Sequence, residues 1–329
     1  MIDTIRFVMT PDTNPYHNLA LEEYLLRRVG EREVILYLWQ NEKTVVIGKN
    51  QNPWKECRIA ELEADGGRLV RRLSGGGAVF HDLGNLNFTF LARKDNYNVE
   101  KQLEVIVSAV NSLGIPAEKT GRNDITVEGR KFSGNAFYSD GVHCYHHGTI
   151  LLKVNMEMLS HYLNVSREKL LTKGVESVRA RVVNLTEYVP SLSVEQMKQV
   201  LIEAFQKVYG QNSLELNTSM LPEEEIEKLT QKFSSWEWNL GRRMEFNYSL
   251  ARRFEWGGIE LQFIVASGRI MECRVYTDAL ETKYFERLSL ILNGCSFSST
   301  AMLHEITKLT AAELQWQEDI STLIKEAAI

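Results

Sequence analysis

Three consecutive glycines set among β-rich runs constrain this chain more than any other stretch. The run Arg68 to Leu73 leads through Ser74-Gly75-Gly76-Gly77 into Ala78 to Phe80, with His81-Asp82 and a further run, Leu86 to Leu91, beyond. Glycine loses more conformational freedom on folding than any other residue, so a triple glycine marks a backbone that must turn sharply or approach another group closely. Bare N–H groups in such a turn can form an anion-binding concavity. Alternation along a strand sends Arg71 and Arg72 to opposite faces, so one of the two shares the inner face with a ligand. A glycine hairpin loop with two solvated arginines accounts for the same residues equally well. The stretch is not a Walker loop, since no Gly-Lys-Ser/Thr follows, and it lacks the G-x-G-x-x-G dinucleotide spacing.

The flanking pattern is a meander with helices inserted. Ile5 to Met9 reads as a strand, and Asn14-Pro15 as a cap and first helical position for a helix to about Arg28. Val34 to Trp39 and Thr44 to Ile47, around Gln-Asn-Glu-Lys, read as a hairpin, and Asn52-Pro53 repeats the helix start. Val99 to Leu113 carries Leu103, Ile106, Val107 and Val110 on one helical face and closes at Gly114. Asp124 to Val127, Lys131 to Tyr138 and Cys144 to Val154 are strands joined by tight turns. Helices are expected near Met156 to Leu163, Val194 to Tyr209 and Pro222 to Phe233.

From about Leu250 a small meander is followed by helices from Leu280 to the end, which places a domain boundary near Asn247. The expected units are 1–246 and 247–329. The first should hold a mixed, largely antiparallel sheet, since consecutive strands with tight turns do not make βαβ alternation. The overall class is α/β in the α+β sense. Trp236 and Trp238 are expected to pack at the approach to that boundary.

Composition excludes several classes. The 329 residues are 44% hydrophobic and 25% charged with 6 prolines, an ordinary globular balance. The net charge of -5 gives no basic bias, so nucleic acid is not an expected partner. Cys57, Cys144, Cys273 and Cys295 form no C-x-x-C pair, which argues for a reducing cytoplasm. No apolar run approaches a membrane span and the start has no leader pattern, so a cytoplasmic location without membrane attachment is expected.

A second stretch, Gly121 to Ala136, sets the polar triplet Arg122-Asn123-Asp124 and Lys131 on either side of a turn. A hairpin would bring Asp124 and Lys131 together. From spacing alone a surface ion pair is the better reading. Alternatively Asp124 holds a divalent cation and Lys131 meets phosphate or carboxylate oxygens, with Ser133-Gly134 allowing close backbone approach.

Taken together, RRLSGGGAVFHDLGN, GRNDITVEGRKFSGNAF, YHHGTILL and ESVRARVVNLTE, in this order, resemble the motifs of the lipoate-protein ligase A family. The family belongs to the biotin and lipoate ligase superfamily, and its long bacterial type carries a C-terminal accessory domain. The resemblance implies that free lipoic acid and ATP, with Mg²⁺, form lipoyl-AMP. The acyl group then passes to a lysine of lipoyl carrier domains, in the glycine cleavage H protein or the E2 subunits of 2-oxoacid dehydrogenases. It implies a cytoplasmic salvage enzyme, expected as a monomer. Lys131 matches the catalytic lysine between lipoyl carbonyl and phosphate. Arg72, Gly75, Gly76, Gly77, Ala78, Val79, Phe80, Asn123 and Asp124 match the nucleotide site, with Asp124 on the metal. Arg72, Lys131, His147 and Gly148 match the lipoate site, where a bulkier residue at 148 would obstruct the acyl chain.

His81, His146 and His147 are open between ligand contact and structural hydrogen bonding, and alternation lets only one of His146 and His147 face a pocket. The segment from Glu176 to Leu185 matches the family's closing loop, and Arg167, Lys169, Lys173, Arg179 and Arg181 exceed nearby Glu168 and Glu176 by three charges, as a solvated face or a carrier-docking strip. Two competing readings are a transferase using Cys144 and a non-catalytic protein on the same fold.

Overall fold

The computed structural model describes residues 2–120, 124–164, 182–241, 247–309 and 314–327. Its strands, in chain order, are β1 (Thr4–Met9), β2 (Glu33–Trp39), β3 (Thr44–Ile47), β4 (Arg68–Arg71), β5 (Val79–His81), β6 (Asn85–Arg93), β7 (Ala117–Thr120), β8 (Asp124–Val127), β9 (Arg130–Ser139), β10 (His143–Leu151), β11 (Leu214–Glu215), β12 (Tyr248–Phe254), β13 (Gly257–Ala266) and β14 (Arg269–Thr277). Eight strands form one sheet in the order β11-β1-β2-β6-β10-β9-β8-β7. β1 runs parallel to both its neighbours and the remaining pairs are antiparallel, the mixed and largely antiparallel sheet expected.

Both faces of this sheet are covered, which explains why β2 is apolar at almost every position. Val34, Leu36 and Leu38 point to a core shared with Leu103, Ile106 and Phe205 of the helices Val99–Ser112 and Val194–Tyr209. Ile35, Tyr37 and Trp39 point the other way, against Leu21 and Leu25 of the helix Pro15–Arg28 and Phe233 of Glu223–Ser234. The Asn-Pro starts behave as capping chemistry requires: the Asn14 side chain accepts from Tyr16 N at 3.1 Å and Asn52 from Trp54 N at 3.2 Å.

The hairpin expected of β2 and β3 does not form. Both edges of β2 are occupied, by β1 and β6, so β3 has no place beside it. Instead β3 leaves the large sheet and becomes the centre of a second one, parallel to β4 and antiparallel to β5. Buried Asn41 holds the turn, its Oδ1 accepting from Asn18 Nδ2 at 3.0 Å.

A third sheet, β12-β13-β14, is covered by the helices Lys283–Leu292, Ser299–Ile306 and Leu314–Glu326 around its own core of Leu261, Phe263, Phe285, Leu288, Ile306 and Ile320. This unit meets the segment that follows β3 through Thr277 N to Asn50 O at 2.9 Å and the Lys55–Glu260 ion pair at 2.7 Å. Trp238 packs within the first unit beside this contact, with Lys49 Nζ 4.7 Å over its ring and 3.7 Å from Glu286 of the C-terminal unit. Its indole N–H donates to Arg71 O at 2.8 Å and its ring meets Phe233 edge-on, while Trp236 stays 58% exposed. Among the described residues no helix is long and apolar enough to cross a membrane.

Two predictions follow from buried polar groups. The Arg71 side chain, 1% exposed, donates to the carbonyls of Gly48, Lys49, Gln51, Trp238 and Asn239. Arg71→Met strands those acceptors and should cost about 3 kcal/mol in urea unfolding; a loss below about 1 kcal/mol would contradict the clamp. His146 lies among the rings of Phe88, Phe90 and Phe137, and burial pushes it down from 6.5 to about 3. The unfolded chain therefore takes up this proton first on acidification, so the stabilisation is complete above about pH 6.5 and is lost as pH falls toward 3. His146→Phe should flatten the fall of the urea midpoint across that window, and an unchanged slope would contradict the assignment.

Candidate active site

Strands β4 and β5 lie on opposite sides of β3, so the glycine stretch cannot be a hairpin loop. It must cross the end of β3, and there Gly48 meets it: a Cβ at Gly48 would lie 2.2 Å from Gly76 O. Gly76 has a φ of 91°, a region that favours glycine. Gly75 has a different reason to be glycine, since a Cβ would stand 2.4 Å from the carbonyl oxygens of Ala279 and Leu280 in the C-terminal unit. Gly76 N donates to Ala279 O at 2.8 Å. Of the three, Gly77 alone has open space where a side chain would be.

Arg72 fills the inside of this crossing loop. Its Nη2 donates to Gly75 O at 2.7 Å and Gly77 O at 2.8 Å, its Nη1 to Val46 O at 3.2 Å and its Nε to Ser74 Oγ at 3.0 Å. Burial lowers it to about 10, so the guanidinium stays charged at neutral pH. Alternation separates the two arginines as expected: Arg71 clamps backbone and Arg72 lines a cleft.

That cleft encloses about 200 Å³ and is walled by Leu19, Trp39, Val46, Val79 and Ala136, with Leu280 of the C-terminal unit at one side. The polar residues that line it include Arg72, His81, Asn87, Lys131, His147 and Thr149, with Asn135 also at the wall and its Oδ1 2.8 Å from His146 Nε2. Gly76, Gly77 and Ala78 contribute backbone. Phe80, matched to the nucleotide site through its backbone, has its side chain away from the cleft: alternation along β5 turns Val79 and His81 inward and packs Phe80 against Val45 and Tyr162.

Lys131 stands on β9 with its Nζ 2.7 Å from Asp124 Oδ1 on β8, both side chains about one third exposed. Its tail lies over Gly134, where a Cβ would be 2.9 Å from Lys131 Nζ. The backbone of Lys131 also receives the described end of the segment matched to the closing loop, Val183 N donating to Lys131 O at 2.9 Å. Asn123, residues 176–181 and the basic strip at 167–181 lie outside the described residues.

His147 faces the cleft and His146 the opposite core. His147 Nε2 is 2.8 Å from Ser74 Oγ and its Nδ1 2.9 Å from Glu22 Oε1, which accepts from Thr89 Oγ1 at 2.7 Å. Glu22, 1% exposed, is not among the residues the sequence pointed to, and Ser74 is named there only as part of the glycine loop. A signal existed for Glu22: it stands three residues after Leu19 and four before Leu26, on the apolar stripe of its helix. Gly148 lines the cleft, yet the space a side chain would need is filled by protein, with Phe88 Cζ at 2.6 Å and Gly134 O at 2.7 Å, so packing beneath β10 requires the glycine before any acyl chain does.

Burial pushes His81 down to about 3, helped by the charge of Arg72, so its ring is neutral near pH 7. None of the four cysteines lines the cleft, and Cys144 is buried with its Sγ 3.2 Å from Ser139 Oγ. The arrangement is an apolar-walled cleft with a fixed guanidinium, an ammonium at its side and glycine backbone at its mouth. It suits an acid whose apolar tail is buried and whose carboxylate meets positive charge.

Comparison with known proteins agrees with this chemistry. The model of the lipoyl protein ligase A/B catalytic domain matches residues 14–206, and that of the bacterial lipoate protein ligase C-terminus matches residues 243–325. LipL1 of P. falciparum, crystallised in complex with lipoate, is 30% identical, with a TM-score of 0.86 over 97% of this chain and 99% of that one. A bi-partite lipoate protein ligase from Thermoplasma acidophilum, studied with its E2 lipoyl domain, is 27% identical with a TM-score of 0.64, over 75% of this chain and 100% of that one. A lipoate-protein ligase A bound with ATP is 26% identical with a TM-score of 0.62, over 73% of this chain and 99% of that one. With a family model matching more than half its length and a relative at 30% identity aligned along nearly all of it, this chain belongs to the lipoyl protein ligase A/B family.

Proposed function

We propose that the chain activates free lipoate with ATP and transfers the lipoyl group to a lysine of a lipoyl carrier domain. The observation that carries the reading is the convergence of Lys131 and Arg72 on one apolar-walled cleft beside the glycine backbone. In the first half-reaction a carboxylate oxygen attacks the α-phosphorus while the bond to the β-phosphate breaks and pyrophosphate leaves. Two anions approach each other, so fixed positive charge does most of the work. Lys131 would lie between acyl carbonyl and phosphate, and Arg72 would hold the loop whose backbone meets the nucleotide. In the second, the carrier amine attacks the acyl carbon, AMP leaves and the amine loses a proton.

Asp124 suits Mg²⁺, because that ion is commonly held by one or two carboxylates together with substrate phosphates. Among the described residues no cluster of three acidic, His or Cys side chains forms a cage, and Asp124 is a partly exposed carboxylate beside Lys131. When bound, the ion neutralises phosphate charge.

Residues 1–246 would be the catalytic domain and 247–329 the accessory one. Ala279 O occupies the Gly76 N–H, so phosphate binding there requires residues 279–280 to move, which supports a swing of the accessory domain. The glycine cleavage H protein and E2 lipoyl domains are the proposed carriers, and a cytoplasmic, monomeric salvage enzyme is the proposed setting. The buried, cleft-remote Cys144 disfavours a thiol-dependent transferase.

With lipoate, ATP and Mg²⁺, intact mass of each carrier domain should rise by one lipoyl group. Lys131→Ala should slow adenylate formation at least about 100-fold, while Cys144→Ser should retain it. Loss of transfer in Cys144→Ser with adenylate formation preserved in Lys131→Ala would overturn the reading.

A further inference from the structure

The cleft holds two nitrogens that the chemistry above does not use. His81 is 3% exposed and Asn87 is 1% exposed. Both line the cleft, and among the described residues neither His81 Nε2 nor Asn87 Nδ2 has a hydrogen-bond partner. Buried polar atoms are paired in almost every case, so two in one cleft wall point to a ligand atom.

What His81 offers is fixed by a chain of hydrogen bonds. Asn18 Nδ2 donates to Asp12 O at 3.1 Å and Gln40 O at 2.8 Å, and carbonyls only accept, so the Asn18 amide has one orientation. The same Nδ2 faces Asn41 Oδ1 at 3.0 Å, which turns Asn41 Nδ2 toward His81 Nδ1 at 3.2 Å. An amide nitrogen donates, so His81 Nδ1 accepts and the neutral ring carries its proton on Nε2, as a donor into the cleft. Asn87 Oδ1 accepts from Asn85 Nδ2 at 2.8 Å, leaving its amide nitrogen on the cleft side.

The position of this pair matters. Asn87 on β6 is paired with Thr149 on β10 and with Trp39 on β2, and Thr149 Oγ1 accepts from Gly134 N on β9 at 3.3 Å. Gly134 carries the Lys131 tail, so the ammonium and Asn87 stand at separate places along one row of the cleft floor, roughly 10 Å or two strand spacings apart. The His81 ring meets Trp39 edge-on at 6.3 Å, at the same end as Asn87.

We infer that His81 and Asn87 form the selectivity end of the acyl pocket, where two donors recognise an acceptor carried far from the carboxylate, such as a dithiolane sulfur, over an unsubstituted alkyl chain. This rests on the acyl-activating reading and deepens it. An alkyl chain there buries both donors without an acceptor, whereas a sulfur, though a weak acceptor, meets them.

The test is adenylate formation by the full chain with lipoate and with octanoate, compared as kcat/KM, beside calorimetric titration of each acid without ATP. The wild type should prefer lipoate by about tenfold or more. His81→Phe should lower that preference about tenfold through the KM for lipoate, and His81→Gln, which keeps a donor, should restore most of it. Asn87→Leu, on a different strand, repeats the test should His81→Phe not fold. An equal preference in wild type and variants, or His81→Gln behaving as His81→Phe, overturns the subsite while leaving the activation intact. Tight, selective lipoate binding without adenylate formation overturns the activation while supporting the subsite.

Discussion

The crossing of the glycine loop over the end of β3 is the constraint on which the rest of the site depends. Because β4 and β5 lie on opposite sides of β3, seven residues must pass over its end with backbone against backbone at Gly48 and Gly76. The loop then has carbonyls to satisfy, and Arg72 satisfies two of them from within. A buried guanidinium needs several acceptors to stay charged, and the loop supplies them. Loop shape and fixed charge are thus one feature, and the cleft behind them takes its polarity from it.

The same loop joins the two units of the molecule. Gly75 and Gly76 touch Ala279 and Leu280 so closely that no side chain fits at Gly75, and Leu280 also walls the cleft. A ligand that uses the Gly76 N–H competes with Ala279 O of the C-terminal unit. Ligand binding and the packing of the two units are therefore linked through a few backbone atoms.

Much of this was legible in sequence where the cause is local. Asn14-Pro15 and Asn52-Pro53 mark helix starts through side-chain capping of their own neighbours, and the starts follow. The hairpin that the sequence suggests for β2 and β3 does not form because strand pairing is decided by which edges remain free, a property of the whole sheet. Spacing and alternation narrowed the candidates to one of Arg71 and Arg72, one of His146 and His147, and an Asp124–Lys131 pair, and the resemblance to the family's motifs is what singled out Arg72, Lys131 and His147. Glu22, Ser74 and Asn87 were not singled out, since their meaning arises from strands and helices distant in sequence: Glu22 meets His147 across 125 residues. Glycine at 148 and 75 was legible as a requirement but not as to its cause, because the atoms that exclude a side chain belong to other segments.

The chemistry proposed for the cleft is activation of a carboxylate by attack on ATP, with charge from Lys131 and Arg72. The most direct measurement is exchange of labelled pyrophosphate into ATP by the purified chain. Exchange should appear only when lipoate is added and should be lost in Lys131→Ala. Exchange independent of lipoate, or its absence in a chain that still modifies a carrier domain from a pre-activated acyl donor, would contradict it.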